Sequence, residues 1–148
     1  MTIVESVRTW LRTYRPLSSG RLGVDYLPEE AKTYSVDSVP SAEIVKKYVD
    51  GSAVKQFLFT LSSREFRADD IRGNTENLAF YEAFSQWVAA QNHRPKNLPK
   101  LDGGRTAQKV EVTTSGYPFL VNDHGTARYQ IQLKLTYFEK GMRFHETV

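Results

Sequence analysis

The chain of 148 residues contains no cysteine. This absence excludes a disulfide scaffold, cysteine-ligated zinc, an iron–sulfur cluster and a cysteine nucleophile, and it fits a reducing compartment. Long apolar runs are also missing, so the sequence predicts neither a signal peptide nor a membrane span. Histidine is scarce, and His93, His124 and His145 lack the spacing to other His, Asp or Glu residues that a helical metal site requires.

Motifs of catalysis are sparse as well. The chain has no Gly-x-Ser-x-Gly elbow. The segment Asp102–Thr106 superficially resembles a phosphate loop, but it lacks the P-loop lysine and a preceding apolar strand, so it predicts a turn. Asp69 and Asp70 are flanked by arginines. This favours neutralisation of the two carboxylates by the arginine side chains over a cation-binding site. His124 beside an aspartate could act as a base, yet a solvated loop histidine is the simpler interpretation. We therefore expect no enzyme, no cofactor and no metal.

The charge balance is mildly basic, with a formal net charge of +3. A dedicated nucleic-acid binder usually carries a denser basic patch. Arg94, Lys96 and Lys100 cluster in one connection, where prolines and asparagines separate them instead of aromatic residues. This favours a solvated linker over a single-strand binding surface. We expect no specific nucleic-acid partner and no membrane partner.

The strongest pattern that is present lies near the end of the chain. Apolar residues alternate with polar ones from Tyr129 to Tyr137, which predicts a strand with one dry face and one wet face. Val110–Thr114 alternates in the same way, and turn-forming residues fill much of the interval. We predict a long antiparallel hairpin, Val110–Phe138, with an elaborated loop from Ser115 to Gly125.

Two helices are predicted by apolar stripes of helical period. Thr2 with Glu5 is a capping box that opens the first, and its stripe favours packing on its own domain over binding to a membrane or partner. Asn74 or Thr75 should cap the second. Its heavy stripe should cover the dry face of the terminal hairpin; the stripe residues are Phe80, Phe84, Trp87 and Val88, with Tyr81 on the flank.

Between the helices lie short strands near Leu22–Tyr26 and Tyr34–Val36 and a second hairpin, Ile44–Leu61. Asp50-Gly51 is a two-residue turn signal. A two-residue turn would place Lys46 opposite Lys55, which is unfavourable for like charges. Either the register is bulged, or the tip projects into solvent or onto a partner.

These elements predict an α+β fold, with an antiparallel sheet of about five strands covered by two helices. The length favours a single domain, residues 1–148, with a loosely held tail at 139–148.

Five segments of the sequence resemble segments of known proteins: Gly20–Leu27, Lys46–Ser52, Phe80–Gln91, Thr113–Tyr117 and Ala127–Gln132. In these segments, and over roughly residues 5 to 138, the chain resembles the small neck or tail proteins of PBSX-like prophages of Gram-positive bacteria, which are often called minor capsid proteins. The order of elements is also similar to that of phage tail terminator proteins.

The resemblance implies a non-enzymatic structural protein that forms a ring at the head-proximal end of the tail tube. Such a ring stops tail polymerisation and joins the tail to the head. The implied partners are further copies of the chain, since the ring of that family is commonly six-fold, together with the tail tube protein and head connector proteins. The implied location is the host cytoplasm during assembly and then the virion. A different neck role, such as head completion, is the alternative.

Ring contacts can form through exposed strand edges and projecting hairpins. The candidate interface residues are Lys46, Lys47 and Tyr48 near one tip, Tyr117 and Phe119 in the terminal hairpin loop, and Arg128. For Tyr117 and Phe119 the alternative is that they fold back over the open end of the sheet.

Overall fold

The computed structural model describes residues 2–14, 22–24, 33–40, 43–66, 71–121 and 126–141. Within these ranges the chain forms two α-helices, a short 3-10 turn and six strands. In chain order they are α1 Ile3–Leu11, β1 Leu22–Val24, β2 Thr33–Val39, β3 Ile44–Lys47, β4 Ala53–Phe66, α2 Ile71–Gln91, the 3-10 turn Pro95–Asn97, β5 Arg105–Val121 and β6 Thr126–Glu139.

The strands form one sheet in the order β1-β2-β4-β6-β5, and β3 pairs with the first residues of β4. The predicted α+β fold of sheet and helices is confirmed. The sheet has six strands where about five were expected, and β1 runs parallel to β2 while the other pairs are antiparallel. Alternation within a short strand carries no information about its direction relative to a neighbour, so the parallel pair was not predictable from the pattern.

The terminal hairpin is confirmed as β5 and β6, but its predicted loop is wrong. β5 continues to Val121, so that only residues 122–125, which lie outside the described residues, separate the two strands. The register shifts between Thr114 and Tyr117 and again between Pro118 and Leu120. Bulges of this kind keep a strand going through residues that usually end one.

Helix α2 packs on the dry face of this hairpin, as predicted. Phe84 and Val88 are buried in one cluster with Leu133 and Leu135 of β6. Tyr81, expected only on the flank, is buried too, whereas Phe80 and Trp87 are partly buried at the edge of the cluster.

The predicted start of α2 is wrong, because the helix begins at Ile71 and contains Asn74 and Thr75 in its interior. Residues suited to an N-cap are also tolerated inside a helix whose apolar face is anchored further along.

Helix α1 begins as the capping pattern predicts, since Thr2 Oγ1 accepts a hydrogen bond from Glu5 N at 3.2 Å. Val7, Trp10 and Leu11 are buried, which confirms that its stripe faces the core of its own domain. Tyr14 follows the helix and packs its ring 4.9 Å from that of Trp87. The two helices thus meet through aromatic side chains above the sheet.

Candidate interaction edge

The β3–β4 hairpin closes through a three-residue loop, Val49–Gly51. Tyr48 N donates to Ser52 O at 2.9 Å, and Gly51 N donates to Tyr48 O at 3.1 Å. Gly51 has a φ of +90°, which the absence of a Cβ permits. This is the hydrogen-bonding pattern of a three-residue hairpin with a left-handed glycine, and the predicted two-residue turn is wrong.

The loop changes the register of the hairpin and separates its lysines. Lys46 lies opposite Val54, and a bulge between Ile44 and Lys46 brings Ile44 opposite Lys55. Of the two alternatives left open by the sequence, the bulged register is therefore present. Lys55 Nζ lies 3.5 Å from Glu43 Oε1 and also contacts Glu139, and its hydrogen bond to Glu139 raises the pKa of Lys55.

Among the described residues, the exposed large apolar side chains are concentrated at the hairpin tip. In the part of the chain that the structure describes, the large apolar side chains that are exposed are Ile44, Val45, Tyr48 and Val49. Val45 is 57% exposed and Val49 is fully exposed. Scattered exposed apolar residues are ordinary, but a group of them within six residues of chain marks an interaction surface.

The outer side of β3 also presents unpaired backbone. β3 pairs with β4 on one side, and no strand among the described residues lies on its other side. Hydrogen-bonded and non-hydrogen-bonded pairs alternate in an antiparallel ladder. Because Tyr48 and Ser52 form a hydrogen-bonded pair, the N–H and C=O of Lys47 point away from β4. Such an edge is a template for the addition of another strand.

On the opposite edge of the sheet, strand β5 is capped at one residue, Val110, by a side chain. Asn92, just after α2, accepts a hydrogen bond from Val110 N at 2.9 Å and donates one to Val110 O at 2.7 Å. Both outward-facing backbone groups of Val110 are thereby satisfied, and Asn92 takes the place that a neighbouring strand would occupy on β5.

The end of β6 holds the β3–β4 loop in place. Lys140 N donates to Gly104 O at 2.9 Å, and Gly141 lies directly against the loop. A Cβ on Gly141 would lie 2.5 Å from Gly51 C and 2.6 Å from Ser52 N. The exposed edge is therefore presented by a turn that is fixed to the sheet. Residues 142–148, the rest of the predicted loose tail, lie outside the described residues.

The predicted interface residues fall into two separate groups. Lys46, Lys47 and Tyr48 lie on the exposed edge, where Lys46 Nζ sits 5.2 Å from the centroid of the Tyr48 ring. Tyr117 and Phe119 lie in strand β5 and not in a loop, so their predicted setting is wrong.

Arg128 lies in β6, opposite Arg64 and Leu120. The side chains of Tyr117, Phe119 and Arg128 are outside the described part, so their contact role stays a prediction. The two groups cannot form one site, because β3 lies beside the Glu139 end of β6 whereas Tyr117 pairs near its start, at Gln130.

Sequence reasoning missed Ile44, Val45, Val49 and Asn92. The first three were visible as β-branched residues around a turn signal, a pattern that does not distinguish a buried strand from an exposed one. The Asn92 contact joins residues 18 positions apart and left no local signal.

The described residues contain no group of three or more His, Asp or Glu residues that could hold a metal ion. Neither of the two described helices is long and apolar enough to cross a membrane. No known family model matches the chain, and no curated protein matches it.

Proposed function

We propose that this protein is a non-enzymatic phage structural protein of the tail-terminator type. It forms a ring, with six copies as the working number, at the head-proximal end of the tail tube. There it stops tail polymerisation and joins the tail to the head. The observation that carries the proposal is the open apolar edge of β3 on a sheet whose opposite edge strand, β5, is capped by Asn92 at Val110.

A closed ring requires a heterologous contact, in which one surface of a subunit meets a different surface of the next. A sheet that is open along β3 and capped at Val110 of β5 presents different surfaces on its two sides, which suits such a directional contact. Burying a fully exposed valine or isoleucine contributes on the order of 1.5–3 kcal/mol before the cost of association is counted. Val49 is fully exposed and Ile44 and Val45 are about half exposed, so together they offer apolar surface for the core of a subunit contact.

The remaining parts of the proposal come from the resemblance of the sequence to prophage neck and tail proteins. They are the tail tube protein and head connector proteins as partners, and a passage from the host cytoplasm into the virion. The β3 edge is proposed as the contact between subunits, and it leaves the faces of the ring for the tube and the connector.

The test is deletion of the gene in its phage, followed by electron microscopy of tails. We expect tails of uncontrolled length that do not join heads, and restoration by the wild-type chain in trans. A Val45→Asp/Val49→Asp chain should fold normally by circular dichroism but fail to restore tails. Ala89→Asp, on the exposed side of α2, is the control and should restore them.

The same micrographs separate this function from the alternative neck role. Tails of normal length that fail to join heads would favour head completion. Tails of normal length that join heads without the protein would exclude both roles.

A further inference from the structure

A second feature lies away from the β3 edge, in a groove of about 520 Å³ between α1, the end of α2 and residues 95–100. Trp10 and Trp87 form its floor, with ring centroids 4.9 Å apart. Trp10 Nε1 donates to Asn97 O at 2.8 Å, and this hydrogen bond fixes the segment between α2 and β5 against α1. The groove is thus preformed, and its volume is within the usual range of roughly 300–1,000 Å³ for ligand sites.

The hydroxyl groups in this groove are already engaged. Ser6 Oγ and Thr9 Oγ1 donate to backbone carbonyls one turn earlier in α1, at 3.2 and 3.0 Å. Thr13 Oγ1 donates to Trp10 O at 2.6 Å. These side chains therefore present mainly carbon to the groove and leave few donors for a ligand.

The charges of the groove have one sign. Lys96 and Lys100 line it, both are exposed, and no carboxylate is among its lining residues. Neither ammonium group forms an ion pair with another of the described residues. An apolar indole floor with two cations beside it complements a group that is flat and apolar on one side and anionic on the other.

We propose that this groove binds an aromatic–acidic segment of a partner protein. The aromatic ring lies against Trp87, and carboxylates approach Lys96 and Lys100. A peptide fits better than a small free acid because Thr9, Thr13 and both lysines are exposed, so that the groove opens to solvent along one side. A ligand pocket normally encloses most of a small molecule. The inference stands without the ring, since none of its residues belongs to the β3 edge.

The two tryptophans of the chain are both in the groove, so intrinsic fluorescence reports its occupancy directly. The probe is the peptide acetyl-Asp-Glu-Phe-Leu-Asp-amide, titrated into the full-length protein. We expect a saturable change with a Kd below about 1 mM. Replacing the acids of the peptide by lysine, or its phenylalanine by alanine, should abolish the change.

Variants of the protein assign the binding to the groove. Lys96→Glu/Lys100→Glu should weaken the peptide about fivefold or more, because two ion pairs become repulsive. Lys96→Gln/Lys100→Gln should weaken it less and keeps the test valid if the first variant folds poorly. Lys46→Glu/Lys47→Glu makes the same charge change on the β3 edge and should leave binding unchanged.

Three outcomes would overturn the proposal. The first is no binding of the acidic peptide at millimolar concentration. The second is binding that the Lys96 and Lys100 changes leave intact. The third is binding of phenylacetate as tightly as the peptide, which would make the occupant a small aromatic acid.

Discussion

Strands β3 and β5 are both edge strands of the same sheet, but the outward-facing backbone groups of the two strands differ in their hydrogen bonding. On β5, the amide of Asn92 provides one donor and one acceptor to Val110, which is the complement that a neighbouring peptide group would offer. On β3, the outward groups of Lys47 meet no described strand, and exposed apolar side chains surround them. The difference indicates that one edge is protected against pairing and the other is available for it.

The side chains of β5 and β3 differ as well as their backbone groups. β5 carries Lys109 and Glu111, whose charged groups lie 3.4 Å apart, and Lys134 of β6 lies 3.7 Å from the same carboxylate. Charged residues on an edge strand oppose the addition of another chain. β3 carries two lysines as well, but they stand among Ile44, Val45 and Tyr48. Its lysines oppose pairing with a second β3, while its apolar residues favour a different partner.

The largest effect is expected from Asn92→Ala, which removes the cap from β5. Val110 loses both partners of its outward backbone groups, and the free energy of unfolding should fall by about 1–3 kcal/mol in urea denaturation. Asn92→Asp keeps an acceptor for Val110 N but loses the donor to Val110 O, so its loss should be intermediate. Light scattering should show association of the alanine variant through the newly opened edge. Unchanged stability in a monomeric variant would contradict the protective role of Asn92.

A somewhat smaller effect is expected from Gly141→Ala, which tests how the β3–β4 loop is held. The new Cβ would lie within 2.7 Å of backbone atoms of Asp50, Gly51 and Ser52. Overpacking of this kind costs about 1–3 kcal/mol, and displacement of the chain end should limit the loss to the lower part of that range. Hydrogen exchange at Tyr48 N and Gly51 N should accelerate. Lys140→Ala is the control and should change stability by less than about 0.5 kcal/mol.

The parts of the fold that follow from one local pattern were predictable from the sequence. The alternation of apolar and polar residues predicted β6, and the helical spacing of apolar residues predicted the buried face of α1. The apolar stripe from Phe80 to Val88 predicted that α2 packs on the terminal hairpin. The length of β5 was not predictable in this way. Its bulges depend on the partner strand, which accommodates Gly116 and Pro118 where a local pattern indicates a turn.

The candidate site was predictable in position but not in composition. The like charges of Lys46 and Lys55 drew attention to the β3–β4 tip, where the three-residue loop places Lys46 opposite Val54 and so separates the two lysines. Whether Val45 and Val49 are buried depends on what packs over them, which a strand pattern does not encode. The groove is even less visible in sequence, because it joins Trp10, Trp87 and Lys96 from three separate segments.

A pH effect smaller than either backbone change is expected at the base of the β3–β4 hairpin. The hydrogen bond to Glu139 raises the pKa of Lys55, and burial raises the pKa of Tyr137 above its usual 10.0. A raised pKa in the folded state means that the contribution is fully present below the unfolded pKa and is lost as pH rises through the folded one. Stability should therefore fall above about pH 10.

Urea denaturation between pH 8 and pH 11.5 measures this loss. Lys55→Met should make the alkaline decline shallower, because the variant has no proton to lose at this position. Lys109→Met, which removes a lysine from an exposed pair, should leave the decline as in the wild type. A decline that is identical in Lys55→Met would show that the Lys55–Glu139 contact does not contribute to folding.

The smallest effect on folding is expected from Val49→Ser, and it separates the two edges most directly. Val49 is fully exposed, so its removal should change the free energy of unfolding by less than about 0.5 kcal/mol. Val112→Ser makes the same substitution on β5, where the side chain packs against the core, and should cost about 1–2 kcal/mol. In phage carrying Val49→Ser, we expect fewer joined tails from a normally stable protein. Equal destabilisation by both substitutions would mean that the β3 tip is packed within the monomer and is not an open edge.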